Sequence, residues 1–161
     1  MKKKVLLVLA LLVVAGAVFA QAPTMDKLSF KTTAGRSVVS PANKQISGAV
    51  VIPDTAPDGM PVQQVTGFRD ITGITSIVFP ASLRTIGSGE ATRLPNLTSV
   101  TFLGQWSSGI NAGNFDGGDL VAKYRDGGPG TYTRQPGGTV WTKVGGTVTC
   151  PTCGGTGVIH Q

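Results

Sequence analysis

The sequence predicts a mainly β fold: a short solenoid of parallel strands, capped by an N-terminal hairpin and by a C-terminal short helix plus hairpin. Three observations carry this. One apolar pattern is written twice, as Ile74-x-x-Ile77-x-Phe79 and Leu97-x-x-Val100-x-Phe102, at a constant offset (97 − 74 = 23). A looser copy, Val50-x-Ile52-Pro53, lies upstream and matches Ile77-x-Phe79-Pro80 (77 − 50 = 27). The chain of 161 residues also carries 23 Gly and 10 Pro, which favours turns and strands over long helices. Self-similarity at a fixed period of roughly 20–30 residues is what stacked repeat units produce.

Residues 1–20 stand apart from the fold. Lys2, Lys3 and Lys4 open the chain, and Val5 to Ala20 is an unbroken run of apolar or small residues. Val18-Phe19-Ala20 then presents small residues at the positions a signal peptidase reads, with Ala22 as a second possible cut. The competing reading is an uncleaved anchor, but the run falls short of the roughly 20 residues that span a bilayer. Cleavage leaves no membrane span. Residues 21–27 read as a tether.

Residues 28–48 form the N-terminal cap. Leu28-Ser29-Phe30-Lys31 alternates, as does Ser37-Val38-Val39-Ser40, and Thr33-Ala34-Gly35-Arg36 turns the chain between them. Leu28, Phe30 and Val38 are expected to point inward, because the first unit of a stack exposes its core unless something covers it.

Residues 49–104 hold the repeats. Ala49 to Pro53 is the first strand, followed by a turn-rich loop from Asp54 to Pro61. Val62-x-x-Val65 then matches Leu83-x-x-Ile86 (83 − 62 = 21). Each unit thus has one apolar pair on its strand and another on its returning segment, with Phe68, Ile71 and Leu94 filling the interior. Strand alternation turns Val50, Ile52, Ile77, Phe79, Val100 and Phe102 inward. It turns Ala49, Val51, Ser76, Val78, Ser99 and Thr101 outward, onto a flat face of small and hydroxylic side chains.

Residues 105–143 form the C-terminal cap. Asp119 to Arg125 suits two helical turns, with Leu120, Val121 and Tyr124 on one face and Gly127 just beyond. Thr131 to Arg134 and Thr139 to Lys143 flank Gln135-Pro136-Gly137-Gly138 as a hairpin. Trp106, Tyr124, Tyr132 and Trp141 invite comparison with a carbohydrate platform, but aromatics on a closing hairpin more often cover the open end of a core.

The motif of Ile74, Ile77, Phe79, Pro80, Ser82, Leu83, Ile86 and Gly87, with Leu97 opening the next unit, resembles the BspA-like leucine-rich repeats of bacterial surface proteins. Leu94 stands at that family's cysteine position. Glu90-Ala91 stands where the family has Ala-Phe, so an aromatic is missing there. The resemblance covers residues 45–104 well. It implies a leucine-rich-repeat solenoid with parallel rung strands, exported to the periplasm, the cell surface or the medium. It also implies adhesion or protein binding, with a protein or cell-surface ligand as partner. The ligand-binding face would be Val51, Ser76, Val78, Ser99 and Thr101.

Residues 144–161 form a glycine- and cysteine-rich tail. Cys150-Pro151-Thr152-Cys153-Gly154-Gly155-Thr156-Gly157 is similar to one CxxCxGxG unit of the cysteine-rich region of J-protein chaperones, where two such units share a zinc ion. A structural zinc site takes four ligands, and this chain offers Cys150, Cys153 and at most His160, so a second chain would have to complete it as a homodimer. An exported chain favours instead a local Cys150–Cys153 disulfide. A tail with no working role is the third reading.

Charge and motif content exclude several classes. The net charge of +6 falls to near +3 once the three leader lysines are removed, and the remaining Lys and Arg are scattered, so no nucleic-acid footprint is present. Asn114, Asp116 and Asp119 lack the spacing of a calcium loop. Asn96-Leu97-Thr98 is a sequon but, given the bacterial resemblance, incidental. The single His is His160, and Glu90 is the single Glu. No nucleophile–base pair or catalytic motif is present, so the chain is read as non-catalytic with no cofactor. The alternative to a binding module is a structural envelope or assembly component that dimerises through its CxxC tail by zinc or disulfide, with no dedicated ligand face.

Overall fold

A computed structural model describes residues 22–87, 91–106, 109–110, 114–115 and 118–145. The leader and the cysteine tail, with Cys150, Cys153 and His160, lie outside the described residues. The chain is mainly β. Among the described residues there are nine strands: β1 (Leu28–Thr33), β2 (Arg36–Pro41), β3 (Gly48–Val51), β4 (Val62–Val65), β5 (Ile74–Phe79), β6 (Thr85–Ile86), β7 (Ser99–Phe102), β8 (Gly130–Thr133) and β9 (Thr142–Val144). One helix, α1 (Leu120–Gly127), precedes β8. No described helix is long and apolar enough to cross a membrane.

The strands form two mixed sheets, one ordered β1-β2-β4-β6 and the other β3-β5-β7-β8-β9. In the first, β1 and β2 are antiparallel, while β2, β4 and β6 run parallel and bring Val39, Val65 and Ile86 into one row. In the second, β3, β5 and β7 are parallel, with Val50 beside Ile77 and Ile77 beside Val100. The segments that carry the repeated pattern are therefore direct neighbours. Backbone bonds tie the intervening loops in the same way: Thr98 N donates to Thr75 O at 2.9 Å and Leu103 N to Phe79 O at 3.1 Å.

One buried cluster takes side chains from both sheets and from α1. Val50, Ile52, Ile77, Phe79, Val100 and Phe102 are all 2% exposed or less, as strand alternation requires. So are Val62, Val65, Leu83 and Ile86 from the returning segments, and Phe68, Ile71 and Leu94 between them. Phe79 and Phe102 stack at 5.7 Å between ring centroids. Phe115, from further along the chain, bridges to Ala91 and meets both rings edge-on, at 6.2 and 6.4 Å.

The N-terminal hairpin departs from expectation in one residue. Val39 is fully buried and Val38 only half-buried. Two adjacent valines leave the phase of β2 open to either choice, and the turn decides it. Thr33 pairs with Arg36 across a two-residue loop, which sets Phe30 opposite Val39. Both loop residues have positive φ, 51° at Ala34 and 75° at Gly35, as a type I′ turn demands. Alanine is strained there and asparagine is not. Ala34→Asn is therefore expected to raise stability by about 1 kcal/mol, read as a higher midpoint in urea unfolding with an unchanged slope.

The expected tether is also corrected. Residues 24–27 are docked on the outer edge of β3. Thr24 N donates to Val51 O at 3.1 Å, and Val51 N donates to Thr24 Oγ1 at 3.0 Å. A 3-10 turn, Met25–Lys27, follows, and Lys27 Nζ reaches the carbonyls of Ser47 and Ala49. Three of the groups a bare edge strand would offer to another chain, the amide and carbonyl of Val51 and the carbonyl of Ala49, are thereby occupied.

At the other end the C-terminal segment does more than cover the core. β8 pairs antiparallel with β7, Val100 opposite Tyr132, so the closing hairpin continues the sheet. α1 buries Leu120, Val121 and Tyr124. Arg134 takes the carbonyls of Leu97, Leu94 and Gly138 at 2.7, 3.0 and 2.9 Å and lies over Trp141.

Candidate binding face

The five-stranded sheet has one face on the core and one turned away from it. Two rows of side chains cross the outer face. The first runs Ala49, Ser76, Ser99, Thr133, Thr142, and the second Val51, Val78, Thr101, Thr131, Val144. At a strand spacing of about 4.8 Å, each row is roughly 19 Å wide. No member of either row is ionisable.

Exposure divides the residues expected on this face. Ser76, Val78, Ser99 and Thr101 lie together and are half-buried. Val51 does not join them. It is only 7% exposed, because the docked residues around Thr24 cover the edge strand that carries it. Val51 is thus a poor candidate for direct ligand contact.

Two residues that sequence reasoning missed belong here, Thr131 and Thr133. Thr131 stands opposite Thr101, with their hydroxyl oxygens 2.8 Å apart, and Thr133 stands opposite Ser99. The signal lay in Thr131-Tyr132-Thr133, which repeats the polar–buried–polar order of Ser99-Val100-Thr101. The usable face is therefore a hydroxyl-rich strip over β5, β7 and β8 that widens towards Val144, which is 54% exposed. Such a strip can exclude water by shape and exchange hydroxyl hydrogen bonds.

The aromatic residues are elsewhere. Tyr124, Tyr132 and Trp141 are 3%, 0% and 2% exposed, and Trp106 packs edge-on against Phe102 at 5.2 Å. Their ring faces are used inside the core, so a carbohydrate platform is not formed. Asn114 is also structural: it is buried and donates to the carbonyls of Ile86 and Gly87. Asp119 Oδ1 accepts from Trp141 N at 2.7 Å, and Asn96 Nδ2 donates to Thr72 O at 2.8 Å. Among the described residues there is no group of three or more His, Cys, Asp or Glu that could hold a metal ion.

The shifted phenols reflect the packing beneath this face. Burial pushes the Tyr124 hydroxyl above its ordinary value of 10.0; it donates to Gly104 O and accepts from Trp106 N, each at 2.8 Å. Burial likewise raises Tyr132, with neighbouring Tyr124 and Asp126 adding to the effect. A raised phenol favours the folded state fully below the unfolded value and loses that contribution as pH climbs through the folded one. Stability is therefore expected to hold from pH 8 to about 10 and to fall above it. Urea melts across that range, followed with tyrosinate absorbance, check this; phenols ionising near 10 without loss of stability would contradict it.

No family model, curated protein or solved structure matches this chain.

Proposed function

We propose that the chain is an exported, non-catalytic protein-binding or adhesion module, built as a short solenoid of the BspA-like leucine-rich-repeat type. Its ligand face is the outer strip of Ser76, Val78, Ser99 and Thr101, extended by Thr131 and Thr133. One observation carries the reading: these side chains form an uncharged, partly exposed strip across neighbouring strands, while the large aromatic side chains beneath it are committed to the core. The repeated pattern, in step with the pairing of Phe79 to Phe102, supports the solenoid.

The partner is a protein or cell-surface ligand, met by shape and hydroxyl contacts. Charge placed on the strip should abolish that contact while sparing the fold. Val78→Lys and Thr101→Lys are each expected to weaken adhesion of the purified protein to protein-coated surfaces and intact cells at least tenfold, about 1.4 kcal/mol or more, with unchanged thermal midpoints. Full adhesion in both variants would remove the face from the function. Loss of adhesion in a Cys150→Ser variant instead would move it to the tail.

A further inference from the structure

We infer that the outer face of the four-stranded sheet binds an acidic polysaccharide, a sugar chain carrying carboxylate or sulfate groups, with Arg36 and Arg84 as its anchors and Lys31 beside them. The inference does not rest on the hydroxyl-rich strip, which belongs to the other sheet. Cations that are scattered along the sequence are brought together here. Val39, Val65 and Ile86 form the inner row, so the adjacent row turns outward. That row is Lys31, Val38, Gln64 and Thr85, across β1, β2, β4 and β6, and it spans about 14 Å. Arg36 lies two residues from Val38 on the same side of β2. Arg84 leads into β6, its N–H donating to Gln63 O at 3.0 Å.

The positive charge on this face is uncompensated. Lys31, Arg36 and Arg84 are all exposed. Among the described residues the ion pairs are those of Asp70 with Arg69 and Arg93, so none of the three has one. No strand residue of this sheet is acidic. The two acids that border it are engaged elsewhere. Asp54 Oδ1 accepts from Ser82 N at 2.9 Å, and Asp58 accepts from Met60 N at 3.1 Å and from the Thr32 hydroxyl. The outer rows of the five-stranded sheet hold no ionisable side chain, so the excess belongs to one of the two faces.

Between the two arginines the chain offers amides. At the irregularity by Ser37 and Val38, β4 carries one residue more than β2. Val62 and Val65 are both buried, which leaves Gln63 and Gln64 together on the outer side, as a bulge does. A guanidinium holds a carboxylate or sulfate through paired N–H donors. Glutamine amides and the Ser40 and Thr85 hydroxyls exchange hydrogen bonds with sugar hydroxyls. Arg36 and Arg84 stand two strands apart, about 10 Å, which suits charges repeated along a chain rather than a single small anion. A single-stranded nucleic acid stacks its bases on aromatic side chains, and no outward position of this sheet is aromatic. A lipid surface is held stably by a basic patch only with a buried apolar anchor besides, and Val38, the apolar member of the row, is itself half-buried.

Binding of the purified full chain to immobilised heparin and to immobilised alginate tests this. Heparin carries sulfate as well as carboxylate groups, and alginate carboxylates alone, so binding to heparin only assigns the face to sulfate. Binding to at least one is expected in about 0.05 M salt and should be lost near about 0.5 M. Arg36→Gln and Arg84→Gln should each weaken it about tenfold with unchanged thermal midpoints. Lys123→Gln, which removes the same charge from α1, should leave it intact. Failure to bind either polysaccharide would overturn the proposal. So would equal weakening by Lys123→Gln, which would reduce the effect to net charge. Tighter binding to a thymidine oligonucleotide or to phosphatidylglycerol vesicles than to both polysaccharides would also overturn it, giving the face to nucleic acid or to a lipid surface.

Discussion

Phe102→Ala is expected to remove about 3–5 kcal/mol of stability. Phe102 is 1% exposed and touches five other aromatic rings: Phe79, Trp106, Phe115, Tyr124 and Tyr132. Those rings come from β5, α1, β8 and the segments around 106 and 115. Truncation leaves a hole that no one neighbour can close, because each is held from a different element. Small domains have only about 5–15 kcal/mol in total, so the variant should be near unfolding at ambient temperature. The adjacent Leu103 is 50% exposed, and Leu103→Ala should stay within about 0.5 kcal/mol of the parent. Urea unfolding followed by circular dichroism compares the two. Equal losses would mean that the stacked ring at 102 is not the centre of the core.

Arg134→Ala is expected to cost roughly 2–4 kcal/mol, a fall of about 10 °C in Tm. Its guanidinium satisfies three carbonyls in the loops entering β7 and β9, and its backbone N–H takes a fourth, Thr98 O at 2.9 Å. Leu94 and Leu97 have counterparts one repeat earlier, at Ile71 and Ile74, where the following segment comes alongside; among the described residues no such parallel segment follows β7. Arg134 takes that place with a planar set of donors. Arg134→Lys should recover less than half of the loss, since one ammonium cannot span three diverging acceptors. Full recovery by lysine would show that charge alone is needed there.

The repeat period made the inner and outer residues of β5 and β7 legible, because alternation and a fixed offset are local properties of sequence. The outward face followed from the same pattern, apart from Val51, which is covered by the distant segment around Thr24, where the sequence carries no periodic signal. The phase of β2 was hidden by the Val38-Val39 pair and is settled by a turn. The joining of β8 to β7 was hidden for a different reason. Antiparallel pairing across an intervening helix depends on where α1 packs, and Leu120 and Tyr124 find their places only in three dimensions. The tail cysteines were legible as a motif, with their chemistry lying outside the described residues.

The reversal of direction between β7 and β8 bears on how such a chain can grow. A parallel strand can be followed by another of its kind without limit, but β8 runs the opposite way and brings with it the arginine that completes the preceding loops. At the other boundary Thr24 and Lys27 hold the amide and carbonyl of Val51 and the carbonyl of Ala49. A further parallel strand is therefore barred from pairing directly with β7, whose two sides are already held by β5 and β8.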